Sequence, residues 1–180
     1  MIFLIIITLV IVQRIIELII AKRNEALMLS KGAYEVGKEH YPYMIAFHTF
    51  FFLSLMFEVM YFQLTTSVLF PILFSFFIIV QCIRIWCLTS LGQFWNTKII
   101  ILPGTNVVKK GPYKFFRHPN YVVVCTEIVL LPLMFEAYFT AIVFTILNFA
   151  MLSVRIPIEE KALMEKTNYT QQFKRNASIS

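Results

Sequence analysis

Two charged clusters in this sequence combine residue types that can bind a polar ligand. The first, Arg117-His118-Pro119-Asn120-Tyr121, comes where a basic segment gives way to an apolar one. Pro119 suits the first turn of a helix, so Arg117 and His118 should stand beside a helix N-terminus. The free N–H groups and positive dipole of that end attract carboxylates and phosphates. The alternative is an ordinary membrane boundary, with an arginine anchor, a proline helix start and an interfacial tyrosine.

The second cluster runs from Arg155 to Glu160 and follows the last long apolar segment. Pro157 predicts that the apolar helix ends there and that a new helix begins in another direction. Glu159 and Glu160 would then lie in the first turn of the new helix, where acidic side chains are stabilised. Arg155 and Glu159 could instead form only a surface ion pair, worth under about 1 kcal/mol. A tight helical hairpin would bring both clusters to one membrane face, which favours a shared site.

The composition is that of a membrane protein. Of the 180 residues 59% are hydrophobic, whereas soluble domains contain about 45–50% apolar residues. The net charge of +6 is expected to set membrane orientation, not to bind nucleic acid. The three cysteines and three histidines have no metal-ligand spacing, so no metal site is predicted. The glycines form no nucleotide-binding motif.

Five apolar segments are candidates for membrane-spanning helices, each of which needs about 20 mainly apolar residues. They cover residues 1–21, 41–62, 67–88, 121–135 and 138–154, with a kink predicted at Pro132. The first segment lacks the basic start and the cleavage site of a signal peptide, so it is expected to be retained. The sequence therefore predicts an all-α integral membrane protein, with residues 1–180 as a single domain.

Charge predicts the orientation of these segments. Lys and Arg are absent from the connections at 63–66 and 136–137, but they occur in both long connections and in the tail. By the positive-inside rule the N-terminus is outside and the two clusters face the cytoplasm. The Asp-free, Ile-, Lys- and Phe-rich composition is typical of a bacterial protein, which indicates the plasma membrane. Arg84 is expected to extend its guanidinium to the interface.

The long connection and the tail have predicted structure of their own. Residues 97–102 and 107–110 favour strands and flank the turn-forming residues 103–106, which predicts a short β-hairpin against the membrane face. The pattern from Ile158 to Phe173 predicts an amphipathic interfacial helix. Only residues 177–180 are expected to be loose.

Ionisable residues inside apolar segments need a partner or a wet cavity, since burying them in lipid costs about 2.5–3.5 kcal/mol. Arg14 and Glu17 are predicted to form an internal pair. Glu127 would lie about 9 Å below the cytoplasmic end of its segment. It either lines a substrate cavity or pairs with a neighbouring polar group. His48 is expected to be a buried, hydrogen-bonded histidine.

Three motifs resemble the isoprenylcysteine carboxyl methyltransferase family of integral membrane enzymes. They are GPYKFFRHPNY from Gly111 to Tyr121, RIPIEEKAL from Arg155 to Leu163, and LGQFW from Leu91 to Trp95. The segment from Arg23 to Met44 is similar to short bacterial members found beside type III polyketide synthases. Membrane phospholipid N-methyltransferases share the combination of RHP and EE, so these motifs leave the acceptor open.

The resemblance implies an enzyme that uses S-adenosylmethionine, bound at the cytosolic face by residues 91–121 and 155–174. The lipophilic acceptor would enter from the bilayer between helices. Residue by residue, the resemblance implies that His118 and Tyr121 contact the cofactor, that Tyr113 and Pro119 shape its pocket, and that Glu160 binds its polar groups. It implies that Arg155 orients the acceptor or an adjacent carboxylate. The residues themselves suit Arg117 and His118 to the cofactor carboxylate and Glu159 or Glu160 to its ammonium. A hydroxyl acceptor needs a base, for which Glu127, Glu159 or His118 could serve.

The predicted function is methyl transfer to oxygen of a lipophilic acceptor, either an alkylpyrone or alkylresorcinol hydroxyl or an isoprenylcysteine-like carboxylate. The expected partners are this substrate and membrane lipids, with a functional link to a type III polyketide synthase. The alternatives are N-methylation of a phospholipid headgroup and a non-catalytic lipid-binding membrane protein.

Overall fold

A computed structural model describes residues 1–170 of the chain. Five α-helices dominate it: α1 (Ile2–Ser30), α2 (Tyr41–Tyr61), α3 (Phe70–Leu91), α4 (Pro119–Leu133) and α5 (Tyr138–Lys166). The predicted all-α membrane architecture is confirmed. All except α4 are long and apolar enough to cross a membrane, whereas α4 has 15 residues and is shorter than the about 20 of a span. Large apolar side chains remain exposed along these helices, as expected of surfaces that face lipid.

Helix α5 corrects one prediction, because it continues through Pro157 instead of ending there. The first turns beyond the proline are held by packing: Ile158, Ala162 and Leu163 form one apolar cluster with Ile99 and Ile101. This burial outweighs the loss of the hydrogen bond that proline cannot donate. Residues 158–166 are therefore the end of a long helix and not a separate interfacial helix. The predicted tail residues 171–174, including Phe173, and the loose end at 177–180 lie outside the described residues.

The small sheet corrects a second prediction. Strand β2 (Ile99–Ile101) forms inside the predicted segment 97–102, but it pairs antiparallel with β1 (Tyr34–Val36). The predicted hairpin with residues 107–110 is wrong, because the chain beyond the turn bonds to the end of α5. The N–H of Gly104 donates to the Lys166 carbonyl at 3.1 Å, and the N–H of Val107 donates to Asn168 Oδ1 at 2.9 Å. The sheet thus connects the two long loops beside α5.

The tight turn between α4 and α5 directs both helices back to one face. Met134, Phe135 and Ala137 in this turn are at most 1% exposed. Glu58 of α2 accepts the N–H groups of Phe139 and Thr140 at 3.0 and 2.8 Å, so its carboxylate caps the N-terminus of α5. The start of α4 and the far half of α5 therefore lie side by side, and the two charged clusters lie on them.

Candidate active site

The two charged clusters converge on one cavity of about 270 Å³. Its lining includes Tyr113, His118, Tyr121, Arg155 and Glu159. This volume is close to the lower end of the range of small-molecule sites, about 300–1,000 Å³. All five helices and the long loop before α4 contribute to its wall, so the cavity needs the whole fold and not one motif.

The Tyr121 hydroxyl joins the acceptor-side residues of the predicted site. It accepts a hydrogen bond from Arg155 Nε at 2.8 Å and donates a short hydrogen bond to Glu159 Oε2. Arg155 also donates to the Thr97 carbonyl at 2.6 Å and to Met44 Sδ at 3.2 Å. The guanidinium is therefore held by α2, α4 and the loop together, which is unlike a solvated surface ion pair.

A second group of contacts centres on Glu160. Its Oε1 lies 3.2 Å from His118 Nε2 and 3.6 Å from Arg117 Nη1, and it accepts the Tyr169 hydroxyl at 3.0 Å. The His118 ring stacks on the Tyr121 ring, with centroids 5.2 Å apart and an interplanar angle of 20°. Tyr121 therefore contacts both groups, and the predicted residues form one continuous constellation.

The start of α4 and the short helix before it position Pro119 and Tyr113. Pro119 begins α4 as predicted and is buried. Tyr113 lies in a short 3₁₀-helix, Gly111–Lys114, where burial is the main cause that raises the pKa of its phenol. Gly111 has φ +56°, and a Cβ there would stand 2.1 Å from Ser90 Oγ. Only glycine allows the loop to approach α3 this closely.

Several buried polar atoms in the cavity wall have no hydrogen-bond partner among residues 1–170. They are Trp95 Nε1, both polar atoms of the Asn96 side chain and Asn120 Oδ1. Leaving a buried polar group unpaired costs about 1–3 kcal/mol, so such atoms are rare without a reason. These donors and acceptors fit a polar ligand such as S-adenosylmethionine, which offers amino, hydroxyl and carboxylate groups.

A sequence model described as the isoprenylcysteine carboxyl methyltransferase family matches residues 71–165, which include both clusters. The chain belongs to the isoprenylcysteine carboxyl methyltransferase family. It is 47% identical to the uncharacterized protein YpbQ of Bacillus subtilis over 91% of this chain and 97% of that protein. It is 28% identical to an uncharacterized protein of Haemophilus influenzae over 83% of this chain and 88% of that protein. No solved structure matches it. Family membership makes the protein an integral membrane methyltransferase, and members of the family use S-adenosylmethionine as methyl donor.

Glu127 is the one predicted site residue that this methyltransferase holds apart from the constellation. Both of its carboxylate oxygens lie 2.8 Å from Arg14 Nη2, and it also accepts Gln81 at 2.7 Å and Arg84 at 3.0 Å. The sequence predicts that Glu127 either lines a substrate cavity or pairs with a neighbouring polar group, and the structure shows the pairing. Its carboxylate serves to neutralise buried arginines, and its predicted catalytic role gains no support from this placement.

The predicted pair of Arg14 and Glu17 is present at 2.8 Å, but it belongs to this larger network. Arg84 donates to both oxygens of Glu17 at 2.7 and 2.6 Å and is 6% exposed. The expectation that Arg84 reaches the interface is wrong, because two carboxylates bind it inside the protein. Glu17 and Arg84 also line the inner end of the large cavity.

Sequence reasoning missed several residues of the site. Trp95 and Asn120 lie inside the motifs that resemble the family, and only burial reveals their unpaired atoms. Met44, Thr97 and Tyr169 carry no local signal, since each enters the site through a contact with a distant segment.

Proposed function

We propose that this methyltransferase uses S-adenosylmethionine to methylate an oxygen atom of a lipophilic acceptor. The acceptor is an alkylpyrone or alkylresorcinol hydroxyl, or an isoprenylcysteine-like carboxylate. One observation carries the proposal: both charged clusters converge on a cavity whose wall has unpaired buried polar atoms. Such a wall suits a ligand that is polar at several points, and the apolar helices around it suit an acceptor that arrives from lipid.

The cofactor-binding role falls to the residues before and at the start of α4. When bound, S-adenosylmethionine supplies an electrophilic methyl group on a sulfonium. Arg117 and His118, beside the N-terminus of α4, suit its carboxylate, and Glu160 suits its ammonium. Tyr113 and Tyr121 line the adjoining part of the cavity, and Pro119 begins the helix that carries Tyr121. The unpaired atoms of Trp95, Asn96 and Asn120 suit the polar atoms of its nucleoside.

The acceptor-side role falls to Arg155 and Glu159. Because Arg155 is held at three points, the orientation of its planar guanidinium is fixed before an acceptor binds. The Tyr121 hydroxyl donates a hydrogen bond to Glu159, and the two groups keep this corner of the cavity polar. Methyl transfer is an in-line displacement, so catalysis consists mainly of holding two reactants in register.

The proposed location is the bacterial plasma membrane, with the N-terminus outside and the site facing the cytoplasm, where S-adenosylmethionine is made. The distribution of Lys and Arg among the connections supports this orientation. A functional link to a type III polyketide synthase follows if the acceptor is an alkylpyrone or alkylresorcinol, since such an enzyme makes these compounds.

The test uses purified protein in detergent. Calorimetry with S-adenosylhomocysteine should show binding, and His118→Ala should weaken it at least tenfold, about 1.4 kcal/mol. Unchanged affinity would remove His118 from the cofactor site. No binding by the wild type would contradict the cofactor assignment itself.

Methyl transfer from labelled S-adenosylmethionine is then measured to a long-chain alkylpyrone, an alkylresorcinol and a farnesylcysteine analogue. Arg155→Lys and Glu160→Gln should each lower turnover at least about 10²-fold, the scale of one lost charged contact in a catalytic site. Arg23→Lys and Glu165→Gln are matched controls at exposed positions and should have no effect. Equal turnover in all four variants would defeat the site assignment. Cofactor binding without transfer to any of these acceptors would show that the acceptor class is wrong.

A further inference from the structure

His48 lies between the large cavity and a second, smaller one. It lines both the 270 Å³ cavity and a neighbouring cavity of about 30 Å³. The smaller cavity is also lined by Arg14, Arg84 and Glu127, so His48 lies where the proposed site meets the buried charge network. A histidine that only filled space in an apolar helix would have no reason to occupy this junction.

The hydrogen bonding of His48 determines where its lone pair lies. Nδ1 is 2.9 Å from the Met44 carbonyl oxygen, one turn earlier on α2. A carbonyl can only accept, so Nδ1 carries the hydrogen, and in the neutral ring the lone pair is on Nε2. The bond to Met44 is the one side-chain hydrogen bond that His48 makes within residues 1–170, so Nε2 has no hydrogen-bond partner there.

Met44 places this lone pair close to the acceptor-side residues. Its sulfur accepts a hydrogen bond from Arg155 at 3.2 Å, while its carbonyl accepts the hydrogen of His48. Four residues of helix correspond to about 6 Å along the axis. His48 thus lies about one turn further along α2 than the contact with Arg155.

The other candidates for a base already have partners. Glu127 is bound by Arg14, Arg84 and Gln81. Glu159 accepts the Tyr121 hydroxyl, and His118 Nε2 faces Glu160. Because these three side chains are already engaged in hydrogen bonds or ion pairs, a hydroxyl acceptor requires a different residue as its base.

We infer that His48 is the general base of this enzyme and that the methyl acceptor is a hydroxyl compound. This inference rests on the proposed function above. The acceptor oxygen bonds to the methyl carbon as the methyl–sulfur bond breaks, and the sulfur keeps that bonding pair. The hydroxyl proton moves to Nε2 of His48. The small cavity has room for a water molecule, so the proton can leave toward the charge network. The charged groups around the ring are Arg14 on α1, Arg84 on α3, Glu127 on α4 and Arg155 on α5.

The decisive experiment compares one variant on two acceptors. His48→Gln keeps a donor for the Met44 carbonyl but has no base. With an alkylresorcinol, whose phenol is largely neutral at pH 7, turnover should fall at least about 10²-fold. With a farnesylcysteine analogue, whose carboxylate is already ionised, no proton is removed and turnover should not change. His40→Gln, at a histidine that lines neither cavity, is the matched control and should leave both rates unchanged.

Three further measurements do not depend on the acceptor comparison. The loss in His48→Gln should shrink as the pH approaches about 10, because the phenol then ionises without help. Nitrogen NMR of the wild type at neutral pH should show hydrogen on Nδ1 and none on Nε2. Calorimetry should show unchanged S-adenosylhomocysteine affinity in the variant, which establishes that it is folded.

The outcomes separate this inference from the proposed function. Three results would each overturn the role of His48 and leave the enzyme class intact. They are an equal loss of turnover with both acceptors in His48→Gln, a loss of turnover that does not change with pH, and a hydrogen on Nε2 in the wild type. Wild-type turnover of the carboxylate alone would also overturn it. Wild-type turnover of neither acceptor would instead contradict the proposed function.

Discussion

Replacement of Arg84 by methionine tests whether the buried charges balance one another. The network contains two arginines and two glutamates, so its net charge is zero when all four are ionised. Arg84 alone makes three hydrogen bonds of 2.6–3.0 Å to Glu17 and Glu127. Methionine fills similar space, but it leaves two carboxylates facing the single charge of Arg14.

The size of the effect follows from this imbalance. Removing one partner of a buried ion pair costs about 3–5 kcal/mol, because the other charge is left uncompensated. Arg84→Met should therefore lower the equilibrium constant for folding about 10²- to 10⁴-fold. Adding Glu127→Gln removes one negative charge and restores the balance between Arg14 and Glu17. The double variant should be more stable than either single variant, which is a strong favourable coupling.

Unfolding of the purified variants in detergent measures these differences, with Arg23→Met as the control for loss of an exposed positive charge. The control should change stability by no more than about 0.5 kcal/mol. If the losses of the two single variants simply add in the double variant, charge balance is not what stabilises the network. A loss below about 1 kcal/mol for Arg84→Met would show that the pairs behave like surface pairs.

Two other predictions concern topology and the loop before α4. In a cysteine-free background, a cysteine placed at 63–66 should react with a membrane-impermeant reagent from outside, and one at Lys109 only from the cytoplasm, because basic residues are retained inside. The reverse pattern in intact cells would invert the proposed orientation. Gly111→Ala should weaken both stability and S-adenosylhomocysteine affinity, since its Cβ would meet Ser90 Oγ at 2.1 Å. Gly104→Ala, also at positive φ but with nothing within 4 Å of a Cβ, should carry only the backbone cost of about 1–2 kcal/mol, and equal effects at both sites would contradict the packing argument.

The parts of the fold that could be predicted depend on local signals. Apolar length locates the five helices, and Pro119 marks the start of α4 because a first-turn position does not need an N–H. The convergence of the two charged clusters follows from helix direction, since a tight turn after one helix returns the next to the same face. These features need only short stretches of sequence.

The parts that could not be predicted depend on distant partners. Residues 97–102 favour a strand, but nothing in that segment shows that its partner is β1, more than 60 residues earlier. Pro157 normally ends a helix, and only the packing of the following turn on β2 reverses that expectation. Arg84 near a helix end normally reaches toward the interface, and only two carboxylates on other helices explain its burial.

The site itself combines both kinds of information through Tyr121. His118 caps the start of α4 and Tyr121 lies three residues later in its first turn, and their rings stack on one face. That spacing is visible in the sequence. The hydroxyl of Tyr121 then reaches Arg155 and Glu159 on α5, which only the folded hairpin brings near. A tyrosine at this position therefore ties the group around Glu160 to the group around Arg155. The residues proposed to bind the cofactor and those proposed to bind the acceptor therefore cannot shift independently, which suits a displacement that depends on alignment.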